Sequence, residues 1–160
     1  MNNIINFFSC TLSKVTVLLI FSLSSYQVSG NPLVDFLKGL LGHPVFEQSP
    51  FYSTDDEIVI ESHDGVELHG NIFVPSSALS SYPVIIFINS WTLDEYQYLT
   101  EAASFAKQGY IVFSYSTRGF GQSGGEVGTA GSEDIKDLST IIDYLQEHYP
   151  IDNTRIGAAG

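Results

Sequence analysis

The hydrophobic pattern changes period along this chain, and that change constrains the fold more than any other feature. Val84–Ile88 (VIIFI) is a continuous apolar run, the pattern of a strand buried on both faces. Leu99, Ala102, Ala103 and Ala106 then fall at i, i+3, i+4 and i+7, which predicts a helix from Asp94 to Gln108 stopped by Gly109. Tyr110–Ser114 (YIVFS) reads as a second buried strand. Ser132 offers an N-cap for a second helix with the stripe Ile135, Leu138, Ile142 and Leu145, and Pro150 lies beyond its end. Arg155–Gly157 begins a further strand. Upstream, Glu57–Ser62 alternates around Ile58 and Ile60, His63-Asp64-Gly65 reads as a turn, and Val66–Val74 as the returning strand. Asp-Gly between two alternating runs is a hairpin signal. The order hairpin, strand, helix, strand, helix, strand predicts the α/β class: an antiparallel hairpin leading into a mostly parallel open sheet with flanking helices and right-handed crossovers.

The chain has 160 residues, the length of one modest domain. Hydrophobic residues make up 44% and charged residues 15%, enough apolar material for a buried core. A formal net charge of −12 repels phosphate backbones and argues against a nucleic-acid partner. Residues 1–30 read as a signal peptide. Val15–Leu23 (VTVLLIFSL) follows Lys14 and gives way to small and polar residues, with Val28 and Gly30 suited to a cleavage site. The run is shorter than the roughly 20 residues of a spanning helix. The expectation is therefore a secreted or periplasmic protein with no stable membrane span after cleavage; retention as an anchor is the alternative. Cys10, the only cysteine, leaves with the signal, so no disulfide and no thiol nucleophile remain. Residues 31–54 form a lead-in, with Leu33, Phe36, Leu37, Leu40 and Leu41 at helical spacing before Gly42 and Pro44. Asp35 and Lys38 alone make a poor membrane-surface face, so this helix is expected to pack back on the domain at 55–160.

The residues that bear on chemistry sit at the strand ends. They are Asp64-Gly65-Val66-Glu67-Leu68 in the hairpin, Asn89-Ser90-Trp91 after the first buried strand, Ser116 to Gly125 after the next, and Ile151 to Gly160. In this order they resemble the α/β-hydrolase superfamily, and more closely the Xaa-Pro dipeptidyl-peptidase and cocaine-esterase-like serine hydrolases, over roughly residues 55–160. The resemblance implies acyl transfer through a serine ester, with a histidine base and an acidic orienter, on a peptide or small-molecule substrate and without a cofactor. Arg155-Ile156-Gly157-Ala158-Ala159-Gly160 then reads as the approach to a nucleophile elbow, where small residues let the backbone bend sharply. With Gly160 as the first glycine of G-x-S-x-G, the serine lies two residues further on; with Gly157 as the first, Ala159 would stand at the nucleophile and the pattern fails. Nucleophile, acid and histidine are all expected beyond Gly160. The chain by itself is expected to be an inactive N-terminal fragment of an exported serine hydrolase. The plainer reading of the same residues is a buried strand ending at a glycine.

In such an enzyme one oxyanion donor comes from the loop after the third strand. That loop opens at Asn89, so Ser90 and Trp91 are the candidate oxyanion and pocket residues. Cocaine-esterase-like relatives carry a tyrosine at the matching place. Trp91 departs from this: its indole N–H donates but cannot serve as an acid. The indole, a neighbouring backbone N–H, and a role as pocket wall all stand as readings. Arg118 heads an R-G-x-G-x-S stretch; in hydrolases of this type an arginine there braces loops, so the resemblance implies that its planar guanidinium is offered to backbone carbonyls. Ser116 and Ser123 have no partnered base. His43, His63, His69 and His148 lack metal-ligand spacing and precede the place of a triad histidine, so neither a metal site nor a catalytic histidine is expected here. Two rivals remain. One is a non-catalytic α/β-hydrolase-like binding domain. The other is a dinucleotide site in which Gly119, Gly121 and Gly124 form G-x-G-x-x-G. Against the latter, Val127 to Gly131 separate those glycines from the helix, and Asp143 falls mid-helix.

Overall fold

The structure is a computed structural model that describes residue 46 and residues 48–160. The segments read as a signal peptide and as a lead-in helix lie outside the described residues. The hairpin forms from β1 (Tyr52–Glu61) and β2 (Glu67–Pro75). It is followed by β3 (Tyr82–Ile88), α1 (Leu99–Lys107), β4 (Ile111–Tyr115), α2 (Ser132–His148) and β5 (Ile151–Ala159). The five strands make one sheet in the order β1-β2-β4-β3-β5. β2 pairs antiparallel with β1 and β4, and β3 pairs in parallel with β4 and β5. This is the α/β arrangement that the alternation of periods implies.

Each face of the sheet carries its own apolar layer. Ile141 and Leu145 of α2 pack with Ile58, Ile60, Leu68, Ile72, Ile86 and Phe113 on one face. Ala102 and Ala106 of α1 pack with Tyr52, Phe73, Phe87 and Val112 on the other. Strand period sends the neighbours Ile72 and Phe73, and Ile86 and Phe87, to opposite layers. β1 reaches both layers through a bulge: Asp55 pairs with Ile72 and Ile58 with Gly70, so three steps on β1 match two on β2. The extra residue reverses which side chains face which layer, turning Tyr52 to the α1 side and Ile58 and Ile60 to the α2 side. Gly70 is required where β2 crosses Phe113, since a Cβ there would lie 2.6 Å from the ring.

Several boundaries differ from the sequence expectation. β1 begins at Tyr52, ahead of the readable alternation. α1 begins at Leu99, not Asp94, because the intervening residues spend their polar groups on local and cross-loop bonds. Tyr96 N–H donates to Asp94 Oδ1 (3.1 Å), and Glu95 N–H donates to Ser116 Oγ (2.9 Å). In α2 the N-cap is Gly131 and Ser132 is the first helical residue. Asp134 closes this end by accepting Gly131 N–H at 2.8 Å. The buried stripe is Ile141 and Leu145, with Leu138 and Ile142 at its edge, while Ile135 is 65% exposed.

β5 is an outer strand of the sheet. Most of its residues are exposed, and open space surrounds Gly157. An outer strand with unpaired backbone groups is a template for association. Residues 46–160 expressed alone are therefore expected to self-associate, as size-exclusion chromatography with light scattering would show. A monodisperse monomer with a sharp melt would refute this.

Candidate functional site

The parallel pairing of β3 and β5 sets Phe87 opposite Ala159. Gly160 follows, close enough to β3 that a Cβ there would lie 2.7 Å from the Ile88 carbonyl oxygen. The carboxyl end of β5 thus emerges beside Asn89-Ser90-Trp91. On the other flank, Tyr115 of β4 lies opposite Ile88 and leads into Ser116 to Arg118. α1 and α2 cover opposite faces, so the connections diverge around β3. Crevices of this kind, at strand carboxyl ends, are the usual ligand sites of open α/β sheets. A cavity of about 360 Å³ lies there, walled by Ile88, Trp91, Tyr115, Phe120, Ile135 and Leu138, with Asn89, Thr117 and Asp134 as polar edge. Burial, aided by the charges of Asp137 and Asp134, pushes the Tyr115 phenol well above its ordinary range, so this wall stays neutral.

The loop after β3 is held from both ends. The Asn89 amide donates to the carbonyls of Leu93 (2.6 Å) and Ser90 (3.2 Å), and its oxygen accepts Thr117 N–H (2.8 Å). Ser90 N–H donates to Gln97 Oε1 (2.6 Å), and Gln97 Nε2 donates to Ser90 Oγ (2.8 Å). Leu93 N–H donates to the Ser90 carbonyl (3.0 Å), closing a turn in which Thr92 has φ 69°. A β-branched residue in that region is strained by about 1–2 kcal/mol. Trp91 is 63% exposed and meets Phe120 edge-on at 5.4 Å. Trp91 therefore stands on the cavity wall, while Ser90 is held inside the turn by Gln97 and does not line the cavity. Sequence reasoning missed Asn89 and Gln97 as latches. The position of Asn89 at the end of an apolar strand was a usable signal, whereas the helical reading of 94–98 concealed Gln97.

Arg118 braces, but through carboxylates instead of the expected backbone carbonyls. Its Nε and one terminal nitrogen donate to Asp137 at 2.5 and 2.7 Å, and its two terminal nitrogens donate to Asp64 at 2.6 and 2.9 Å. Asp137 also accepts from Ser62 Oγ. The hairpin turn, the loop after β4 and α2 are joined at one buried guanidinium. Its two carboxylate partners hold its proton more tightly still, and Arg118 in turn holds the Asp64 carboxyl well below the usual range.

Ser116, Ser123, His63 and His148 are occupied structurally. Ser123 Oγ donates to the Ser116 carbonyl (2.7 Å) and accepts His69 N–H (2.9 Å). Ser116 Oγ donates to the buried Glu95 carboxylate. His63 pairs with Glu133 at 2.7 Å, and His148 Nδ1 lies 2.9 Å from the Tyr144 carbonyl; His43 lies outside the described residues. His63, Asp64 and Glu133 bring potential ligand atoms within 4.8 Å of one another, but both Asp64 oxygens are taken by Arg118. The G-x-G-x-x-G stretch closes on the protein itself. Gly119 N–H donates to the Gly124 carbonyl (3.0 Å), and Gly121, at φ 54°, leaves no room for a Cβ, which would lie 2.7 Å from Glu95 Oε2. Gly157 stands mid-strand and Gly160 against Ile88.

Removing Arg118 strands Asp137, which is 2% exposed; loss of one partner of a buried pair costs about 3–5 kcal/mol. Arg118→Met in the complete protein is expected to lower the denaturation midpoint by a corresponding amount. The pH dependence has a definite sign. The Asp64 carboxyl is depressed from its ordinary value of 3.8, so its contribution is full above pH 3.8 and fades as pH falls toward the folded value. The stability gap between wild type and Asp64→Asn should hold from neutral pH down to mild acid and close only below pH 3.8. Urea melts across that range check it, and a gap that closes near neutrality would be inconsistent with the brace.

Residues 64–160 match the family described as X-Pro dipeptidyl-peptidase (S15 family). A stretch of 63 residues is 40% identical to uncharacterized protein YcjY of Escherichia coli (strain K12), covering 38% of this chain and 21% of that protein. The Pyrococcus furiosus esterase Pf2001 superposes with a TM-score of 0.53 at 27% identity, over 83% of this chain and 46% of the esterase. SACOL2612, a CocE/NonD family hydrolase of Staphylococcus aureus, shares the fold with a TM-score of 0.56 at 17% identity, over 68% of this chain and 23% of that one. The chain spans less than half the length of each of these relatives. With a family match over more than half of its residues and a sheet of α/β-hydrolase type, the chain belongs to the X-Pro dipeptidyl-peptidase (S15) family.

Proposed function

We propose that this chain supplies the oxyanion turn and a substrate wall of an exported serine hydrolase, a peptidase or esterase working by acyl transfer. The observation that carries the reading is the juxtaposition of the β3 and β5 carboxyl ends, with an apolar cavity walled by the ends of β3 and β4 and by α2. On this reading the elbow serine lies two residues past Gly160, and the histidine base and acidic orienter lie beyond it. The serine attacks the carbonyl carbon of an ester or amide while the histidine takes its proton. The tetrahedral oxyanion is held by the N–H after the serine and by a backbone N–H of the turn at Trp91-Thr92. Collapse expels the alcohol or amine, protonated by the histidine, and water then releases the acyl group. Family membership and the esterase likeness support this chemistry.

Export belongs to the same proposal and rests on the pattern of residues 1–30, as does the division into a signal at 1–30, a lead-in at 31–54 and a hydrolase domain from 55. No helix of the described residues is long and apolar enough to cross a membrane. The substrate is a peptide or small molecule, and a net charge of −12 disfavours nucleic acid.

Trp91→Phe separates the indole from the backbone. The variant keeps the peptide N–H and most of the ring but removes the indole donor. In the complete protein acting on an activated ester, kcat is expected to stay close to wild type while KM rises through the altered wall. A fall of about 10²–10³ in kcat, the usual loss for one oxyanion donor, would place the indole in the oxyanion hole instead.

A further inference from the structure

We propose that Gln97 is the positioning residue of the oxyanion turn and selects which peptide N–H of that turn serves as donor; this rests on the hydrolase reading above. Its carboxamide grips Ser90 at two points, accepting from the backbone N–H at 2.6 Å and donating to the hydroxyl at 2.8 Å. Ser90 N–H is thereby spent and cannot serve an oxyanion. The N–H groups of Trp91 and Thr92, the next two in the turn, donate to no group among the described residues. They are the donors the turn has left to offer.

Gln97 can act as a fixed point because the chain on both sides of it is fastened to the sheet. Two residues before it, the Glu95 carbonyl accepts from Asn71 Nδ2 on β2 and from Ser114 Oγ on β4, each at 2.8 Å. The next residue, Tyr98, stacks on Phe87 of β3 with ring centres 4.7 Å apart. The same clamp holds a turn that contains Thr92 at φ 69°. Strained backbone of this kind persists only where its surroundings over-determine it. Oxyanion donors act by being in place beforehand, and misplacement by about 1 Å costs on the order of 10²-fold in rate.

The test uses the complete protein and two variants. Gln97→Met keeps side-chain length and loses both bonds to Ser90. Gln97→Glu keeps an acceptor for Ser90 N–H, and the Ser90 hydroxyl turns to donate to it. Two readouts are taken: kcat and KM on an activated ester, and amide hydrogen exchange of a peptide spanning residues 89–98. Gln97→Met is expected to speed exchange at residues 90–93 and lower kcat about 10- to 100-fold with little change in KM. Gln97→Glu should recover most of both. Unchanged exchange in Gln97→Met would show that there is no clamp, and faster exchange with unchanged kcat would show a clamp without a catalytic part; either result overturns the proposal. A wild type that neither turns over ester nor reacts with a serine-directed inhibitor defeats the hydrolase reading and the catalytic role with it. That outcome is distinguishable, because the exchange difference would still report the clamp. If Gln97→Met does not fold, Gln97→Asn, too short to reach Ser90, carries the same readouts.

Discussion

The crevice hangs from one buried guanidinium. Arg118 is the residue from which the loop after β4 departs, and it is bound in bidentate fashion to Asp137 in α2 and to Asp64 in the hairpin turn. A charge removed from water is tolerable only when it is paired and hydrogen-bonded, so these three elements are obliged to meet. Asp137 is the inner partner at 2% exposure, while the Asp64 side chain is 38% exposed and keeps its excess charge near solvent. Fixing Arg118 to α2 ties together the loop and the helix that contribute Phe120 and Ile135 to the cavity lining.

The opposite side of the crevice is secured separately. Asn89 ties the loop after β3 to Thr117 of the loop after β4, and Gln97 ties it to the segment entering α1. The loop after β3 is thus fastened by neutral amides, and the loop after β4 by an ion pair. Amides of this kind satisfy backbone groups whatever the pH, whereas the ion pair weakens only in strong acid, as the depressed Asp64 carboxyl requires. A hydrolase needs such rigidity, since donors that must reorganise during the reaction lose their catalytic value.

Most of the architecture could be read from periodicity. VIIFI and YIVFS announce strands buried on both faces, and His63-Asp64-Gly65 announces the hairpin, because these signals are local. What escaped the sequence depends on distant partners. The bulge between Asp55 and Ile58 has no residue pattern of its own and shows itself only against β2. Ile135 fits a helical stripe as well as Ile141 does, yet it stands over the cavity while Ile141 is in the core. The bracing role of Arg118 was implied by the resemblance to hydrolases with an R-G-x-G-x-S stretch, but its partners Asp64 and Asp137 lie 54 and 19 residues away. In the candidate site, the loop at Ser90 and Trp91 was legible by resemblance. The Gln97 clamp was not, because it interrupts a segment whose apolar spacing reads as helix.

The central claim is that the crevice at the carboxyl end of β3 receives a serine nucleophile delivered from the end of the neighbouring strand β5. The most direct measurement is covalent labelling of the complete protein with a fluorophosphonate, followed by peptide mapping of the adduct. The account predicts a single adduct on a serine two positions beyond Gly160. The absence of an adduct in folded protein, or an adduct on Ser62, Ser116 or Ser123, would contradict it.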